Sequence, residues 1–283
     1  MVIILMMISR KKEISTIVDY LFTQMVDFSF PLKVNDLLKF FLKFYKIKII
    51  KFSEFASIAR ISLSETAEIF CTNNARIIYD PKETTYYIYY NDNMPKNRCK
   101  WNIIHELAHM YLDHPITLLN IKDNEFEIPL SIYEEMEEEA NYFTSCCLTP
   151  YAAFIGLSCH YNMANFYGYY TIARTFFGLS QEAAYYTADN FSKLKEFNLT
   201  KQSFQPYENS LKYIIDTYKK DVFDTPSLLK YQKEIPKIRE IINHNKEQND
   251  QYHMHYWQFS SVSDVMNANA KQEYRKETQI IYL

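Results

Sequence analysis

Apolar residues change their period several times along this chain, and each change marks an element. Residues 13–30 carry them at helical spacing, and in VNDLLKFFLKFYKIKII so do Val34, Leu37, Leu38, Phe41, Leu42 and Tyr45, which predicts helices over 13–30 and 34–46. The run KIKIIKF then alternates like a half-buried strand. ARIIYD and TTYYIYYND are β-branched and aromatic, and Asp80-Pro81-Lys82-Glu83 between them predicts a hairpin. Over 97–113, Trp101, Ile104, Leu107, Ala108, Tyr111 and Leu112 form a helical stripe that Pro115 closes. Residues 116–130 show no period and read as irregular. Ser131 and Glu134 have the spacing of a capping box at the head of SIYEEMEEEANYFTSCCL, and Pro150 follows its last turn. Residues 165–200 look helical, and 201–283 are polar and helix-rich, with one long charged stretch, QKEIPKIREIINHNKEQND. No internal repeat is visible.

Composition changes this picture in three ways. A net charge of −3 over 283 residues gives no general attraction to nucleic acid. The cysteines, Cys71, Cys99, Cys146, Cys147 and Cys159, are odd in number and form no C-x-x-C, which predicts free thiols in a reducing compartment. In the opening MVIILMMISRKKE the charges follow the apolar run and no small-residue cleavage site succeeds it, so it reads as a buried segment and not a signal peptide. No stretch reaches the ~18–20 apolar residues of a membrane span. A cytoplasmic protein is expected.

Candidate chemistry sits in KWNIIHELAHMYLDHP. Hydrolytic zinc needs three protein ligands and an open position. Residues at i and i+4 share a helix face, so His105 and His109 can address one Zn2+ ion. Glu106, one residue on, can face the open side, take a proton from an attacking water and hand it to a leaving amine. His-Glu-x-x-His has only three fixed positions and also occurs in helices that bind nothing. Its placement on an amphipathic helix argues for a site, and so does a third ligand at a sensible place. On the following helix the apolar stripe is Ile132, Tyr133, Met136, Ala140, Phe143 and Cys147. At ~100° per residue, Glu137 and Glu139 flank that stripe on opposite sides, while Glu134, Glu135 and Glu138 point away from it. Periodicity leaves Glu137 and Glu139 both open as the third ligand. The bland reading of EEMEEEA is a solvated acidic face. His114, just after the helix, could support a ligand but reads more readily as an exposed turn histidine; His253 and His255 could bind metal but read as residues of a polar tail without function, and Cys146-Cys147 reads as a packed pair. No Ser/His/Asp arrangement or phosphate-binding glycine loop appears.

RCKWNIIHELAHMYLDHP followed by EEEANYFTSCCLTP resembles the ImmA/IrrE family of metallopeptidases. Members show a strand, an Arg shortly before the helix, His-Glu-Leu-x-His, and then Glu-x-Glu-Ala-Asn-x-Phe leading to Leu-x-Pro. Here these are TTYYIYYND, Arg98, HELAH, EEEANYF and LTP, within roughly residues 35–195. The chain departs from the pattern at Ala108, where the family usually has Gly, and at Thr144, where it usually has Ala. The resemblance implies an α+β fold: a zincin-like core of a small sheet with the His-Glu-x-x-His helix and a Glu-bearing helix, then a mostly helical C-terminal part. The domains are expected at 1–34 (helical), 35–160 (metallopeptidase), 161–200 (helix-turn-helix-like) and 201–283, a helical extension that resembles nothing in the family. The resemblance makes Glu137 the third ligand beside His105 and His109, with Glu139 as fallback. Asn141, at i+4 from Glu137, is expected to hydrogen-bond a ligand histidine. The implied activity is zinc-dependent, limited proteolysis of a protein partner, a helix-turn-helix repressor of a mobile element or prophage. TIARTFFGLSQEAAYYTADNF has helix-turn-helix spacing but lacks an Arg often seen in its second helix, and reads as a helical support, with no direct DNA binding expected. The competing reading is a metal-binding regulator that acts on a partner without cutting it; the carboxylate of Glu106 argues against it, since a structural metal site needs no base.

Overall fold

The computed structural model describes residues 2–25, 27–123, 129–193, 199–218, 231, 233–238 and 240; His253 and His255 lie outside them. The chain opens with α1 (Val2–Gln24) and α2 (Val34–Phe41). Strand β1 (Lys46–Lys51) leads through α3 (Phe52–Ala59) and α4 (Leu63–Ile69) into the hairpin β2 (Ala75–Asp80) and β3 (Thr85–Tyr90). Helices α5 (Lys96–Tyr111), α6 (His114–Asp123), α7 (Leu130–Leu148), α8 (Tyr151–His160), α9 (Phe166–Thr175) and α10 (Gln181–Lys193) follow. After them come α11 (Lys201–Phe204), a 3-10 turn at Gln205–Tyr207 and α12 (Glu208–Thr217). The fold is α+β, a small mixed sheet among many helices. Two compact units form, residues 37–141 and residues 1–36 with 142–248.

In the 37–141 unit the strand order is β1-β3-β2, with β1 parallel and β2 antiparallel to β3. Ile88 at the centre pairs with Ile49 on one side and Ile77 on the other. The hairpin turn is closed by Asp80, whose Oδ1 accepts from the Lys82 N–H at 2.9 Å. Residues 52–74, with α3 and α4, carry the chain from β1 past the place of β3 to the far edge strand β2, and the hairpin then sets β3 between the two. Phe52, Phe55, Ile69 and Phe70 from these helices pack with Ile78 and Tyr89 on one sheet face. Side chains alternate along a strand, so Ile77, Tyr86 and Ile88 point the other way. There α5 lies against β2 and β3.

Several boundaries differ from the sequence expectation. The first helix ends at Gln24 and not at residue 30. The second ends at Phe41, and Leu42 is exposed where the chain turns into β1. Residues 116–130, read as irregular, contain most of α6. Pro115 does not merely stop α5; it occupies the first turn of the next helix, where its missing N–H costs nothing. Asp113, at φ 58, makes the break between them. Helix α7 also starts early: the Ile132 N–H donates to the Pro129 carbonyl at 3.0 Å, so Ser131 lies inside the first turn and not ahead of it.

In the other unit, aromatic rings carry the core: Phe154 stacks on Phe191 at 4.1 Å, Phe30 meets Phe177 at 4.9 Å and Phe22 meets Tyr207 at 5.2 Å. Helices α9 and α10 pack on each other, and Ala173, Ala184 and Ala188 on them are buried. Gly168 is required there, since a Cβ would fall 2.4 Å from the Met163 carbonyl oxygen. The pair carries Arg174 and Lys193 against Glu182 and Asp189, which leaves no basic face.

Candidate metal centre

The middle of α5 is buried on every side, from Asn102 to Met110. Four of those residues are polar: Asn102, His105, Glu106 and His109. Polar groups taken from water need partners, and α7 brings them. Glu137 places Oε2 3.1 Å from His105 Nε2 and Oε1 3.3 Å from His109 Nε2, and the two Nε2 atoms are 3.0 Å apart. A tetrahedral ion with ligands at about 2.0–2.1 Å sets its donor atoms about 3.3 Å apart. The observed triangle therefore fits two imidazoles and one carboxylate around a single zinc-sized cation. His105, His109 and Glu137 are the group of potential ligands found among the described residues. Glu106 is 1% exposed, one residue from His105 on the same buried helix.

The charges agree with that grouping. Burial pushes His109 down to about 3, outweighing the carboxylate beside it. At His105 burial works in the same direction, but the hydrogen bond and charge of Glu137, helped by Glu106, win and raise it. Burial alone would raise Glu137; the adjacent histidines instead hold it well below the usual carboxylate range. Glu137 is thus an anion, and His109 keeps an unprotonated ring nitrogen for a ligand bond.

The two carboxylates that sequence periodicity could not separate both face inward, at different targets. Glu139 Oε2 lies 3.1 Å from His114 Nε2, and His114 Nδ1 lies 2.8 Å from His109 Nδ1. Glu134, Glu135 and Glu138 are exposed, as their positions on the helix predict. Two expectations fail. Asn141 is exposed and does not hold a ligand histidine. His114, expected in a solvated turn, is 3% exposed and takes that role. A signal did exist: a ligand histidine needs a partner on its second ring nitrogen, and His114 was the nearest unassigned candidate. Asn102 was also missed; its buried amide lies one turn before Glu106, and its Nδ2 has no hydrogen-bond partner among the described residues. Arg98 stands in the first turn of α5 and donates to Asn74 Oδ1 at 3.3 Å. The cysteines form no disulfide among the described residues, and burial pushes the Cys146 thiol up to about 12, so it stays protonated.

A small sheet backs a helix with two inward histidines, and a second helix supplies a glutamate, a grouping that could hold a metal ion. Residues 69–189 match the family model of Peptidase_M78, the IrrE N-terminal-like domain, the family that the motifs resemble. That segment contains α5, α6 and α7 with every residue of the centre. No curated protein matches the chain. No described helix is long and apolar enough to cross a membrane.

Proposed function

We propose that the chain is a zinc-dependent endopeptidase that cuts a protein partner at limited sites, and that this partner is a helix-turn-helix repressor of a mobile element or prophage. The observation that carries the enzymatic part is the donor triangle of His105, His109 and Glu137 with Glu106 buried beside it. The repressor rests on the family resemblance. His105, His109 and Glu137 would hold Zn2+, which when bound polarises a carbonyl and lowers the pKa of water from ~15.7 towards ~7. Glu106 accepts the proton of the attacking water on its carboxylate and returns it to the nitrogen of the departing amine. The burial of Glu106 keeps bulk water from competing for that proton.

Proton transfer of this kind contributes typically ~10²–10⁴-fold. Glu106→Gln keeps the shape but cannot accept the proton. The variant should bind zinc and fold like the parent, yet fail to cleave a co-expressed cognate repressor that the parent cleaves and a chelator protects. If the Gln variant relieves repression as well as the parent, hydrolysis is not the mechanism. The protein would then be a metal-binding regulator that acts on its partner without cutting it.

A further inference from the structure

We propose that His114 and Glu139 are positioning residues for His109, forming a chain of hydrogen bonds that fixes which nitrogen of His109 faces the metal. The proposal rests on the reading of His109 as a ligand through Nε2. Two contacts carry it: His109 Nδ1 to His114 Nδ1 at 2.8 Å, and His114 Nε2 to Glu139 Oε2 at 3.1 Å. Only one arrangement of protons suits both contacts and a ligand bond. The carboxylate of Glu139 accepts, so His114 carries its proton on Nε2. Neutral His114 then has a bare Nδ1, which must accept from His109. His109 therefore carries its proton on Nδ1, and Nε2 is left with its lone pair pointing at Glu137 and His105.

The chain is enclosed: His109 and His114 are 0% and 3% exposed, so water competes poorly for these bonds. It is also one-sided. His105 Nδ1 is buried with no hydrogen-bond partner among the described residues. The second histidine of the motif is preset by protein groups behind its ring, whereas the first has no such support among the described residues. The relay draws on three elements, since α5 supplies His109, α6 begins at His114 and α7 carries Glu139. Helix α6 thereby belongs to the metal centre, although it supplies no ligand.

Partners of this kind, when removed, typically cost ~10–100-fold in metal affinity. Zinc affinity of the full-length protein, measured by competition with a chromogenic chelator, should fall by about that factor in Glu139→Gln and in His114→Leu. His114→Asn keeps an acceptor oxygen near the place of Nδ1 and should retain affinity between those variants and the parent. In metal-free protein, ¹⁵N-imidazole spectra should show His109 protonated on Nδ1, and Glu139→Gln should shift that signal. A merely structural role would not move it. His109→Ala should lose zinc altogether; if it does not, the metal site itself is wrong, a different failure. Parental zinc affinity in both Glu139→Gln and His114→Leu would overturn the relay, and so would a His109 protonated on Nε2 in the metal-free parent. Should His114→Leu fail to fold, Glu139→Gln decides, since it changes no volume and is judged by affinity and spectrum together.

Discussion

Glu137 and Glu139 are two positions apart on α7, so they project about 200° apart around the helix axis and cannot serve the same atom. One meets the Nε2 edges of the motif histidines, and the other meets His114. Their alanine variants should differ accordingly. Glu137→Ala removes a donor atom from a three-donor set, and the roughly one zinc per chain expected of the parent should be lost. Glu139→Ala should leave a weaker but saturable site. Elemental analysis after gentle purification, followed by chelator competition, ranks the two, and the opposite ranking would make Glu139 the ligand. Spacing alone narrowed five glutamates to this pair, because burial on a helix follows its period. It could not choose between them, because both edges of the stripe are covered. The support role of His114 was the less favoured reading for a related reason: its burial depends on a helix whose second residue, Pro115, usually reads as a stop signal.

Among the elements, the strands and the helix of the centre were legible, since alternation and a helical stripe are local signals. The α3–α4 crossover was not foreseen. Its helices are 8 and 7 residues long, too short for a period to stand out. The capping box that opens α4 was nevertheless present in the sequence as Ser62-x-x-Glu65. Ser62 Oγ accepts from the Glu65 N–H at 3.2 Å, and Glu65 Oε2 accepts from the Ser62 N–H at 2.8 Å. The opposite error occurred at Ser131 and Glu134, where the same spacing lies one residue inside a helix. A four-residue pattern thus marks a helix start only when the preceding turn also lacks a helical partner. Ser62→Ala should cost about 1 kcal/mol, read as a lower urea midpoint at unchanged slope. Zinc affinity should stay parental, because α4 packs on the sheet face away from α5. A change in affinity would show that the crossover helices bear on the metal centre.

Across the whole molecule, the family match at 69–189 leaves out α1 and α12, which share a compact unit with its C-terminal helices. This long-range pairing was not legible beforehand, because each partner alone reads as an ordinary amphipathic or polar segment. Its polar anchor is the Tyr207 hydroxyl, which donates to Asp19 Oδ1 at 2.5 Å, while Ser210 Oγ donates to the Phe28 carbonyl at 2.8 Å. Tyr207 is 0% exposed and edges onto Phe22 of α1. Burial raises the Asp19 carboxyl above its ordinary value, only partly offset by the Tyr207 hydrogen bond. A carboxyl raised in the folded state stabilises most at pH below its unfolded value, and that contribution is lost as pH rises through the folded value. At neutral pH the charged Asp19 is therefore a cost that Tyr207 mitigates. Tyr207→Phe keeps the ring packing but withdraws the donor, and should lower stability at pH 7 by about 1–3 kcal/mol in urea unfolding. Asp19→Asn keeps an acceptor for the hydroxyl and removes the charge. It should be no less stable than the parent at pH 7, and should flatten the dependence on pH just above the ordinary carboxylate range. If instead Asp19→Asn is the more damaging change at pH 7, the anion itself holds α1 in place, and burial does not outweigh the hydrogen bond at that carboxyl.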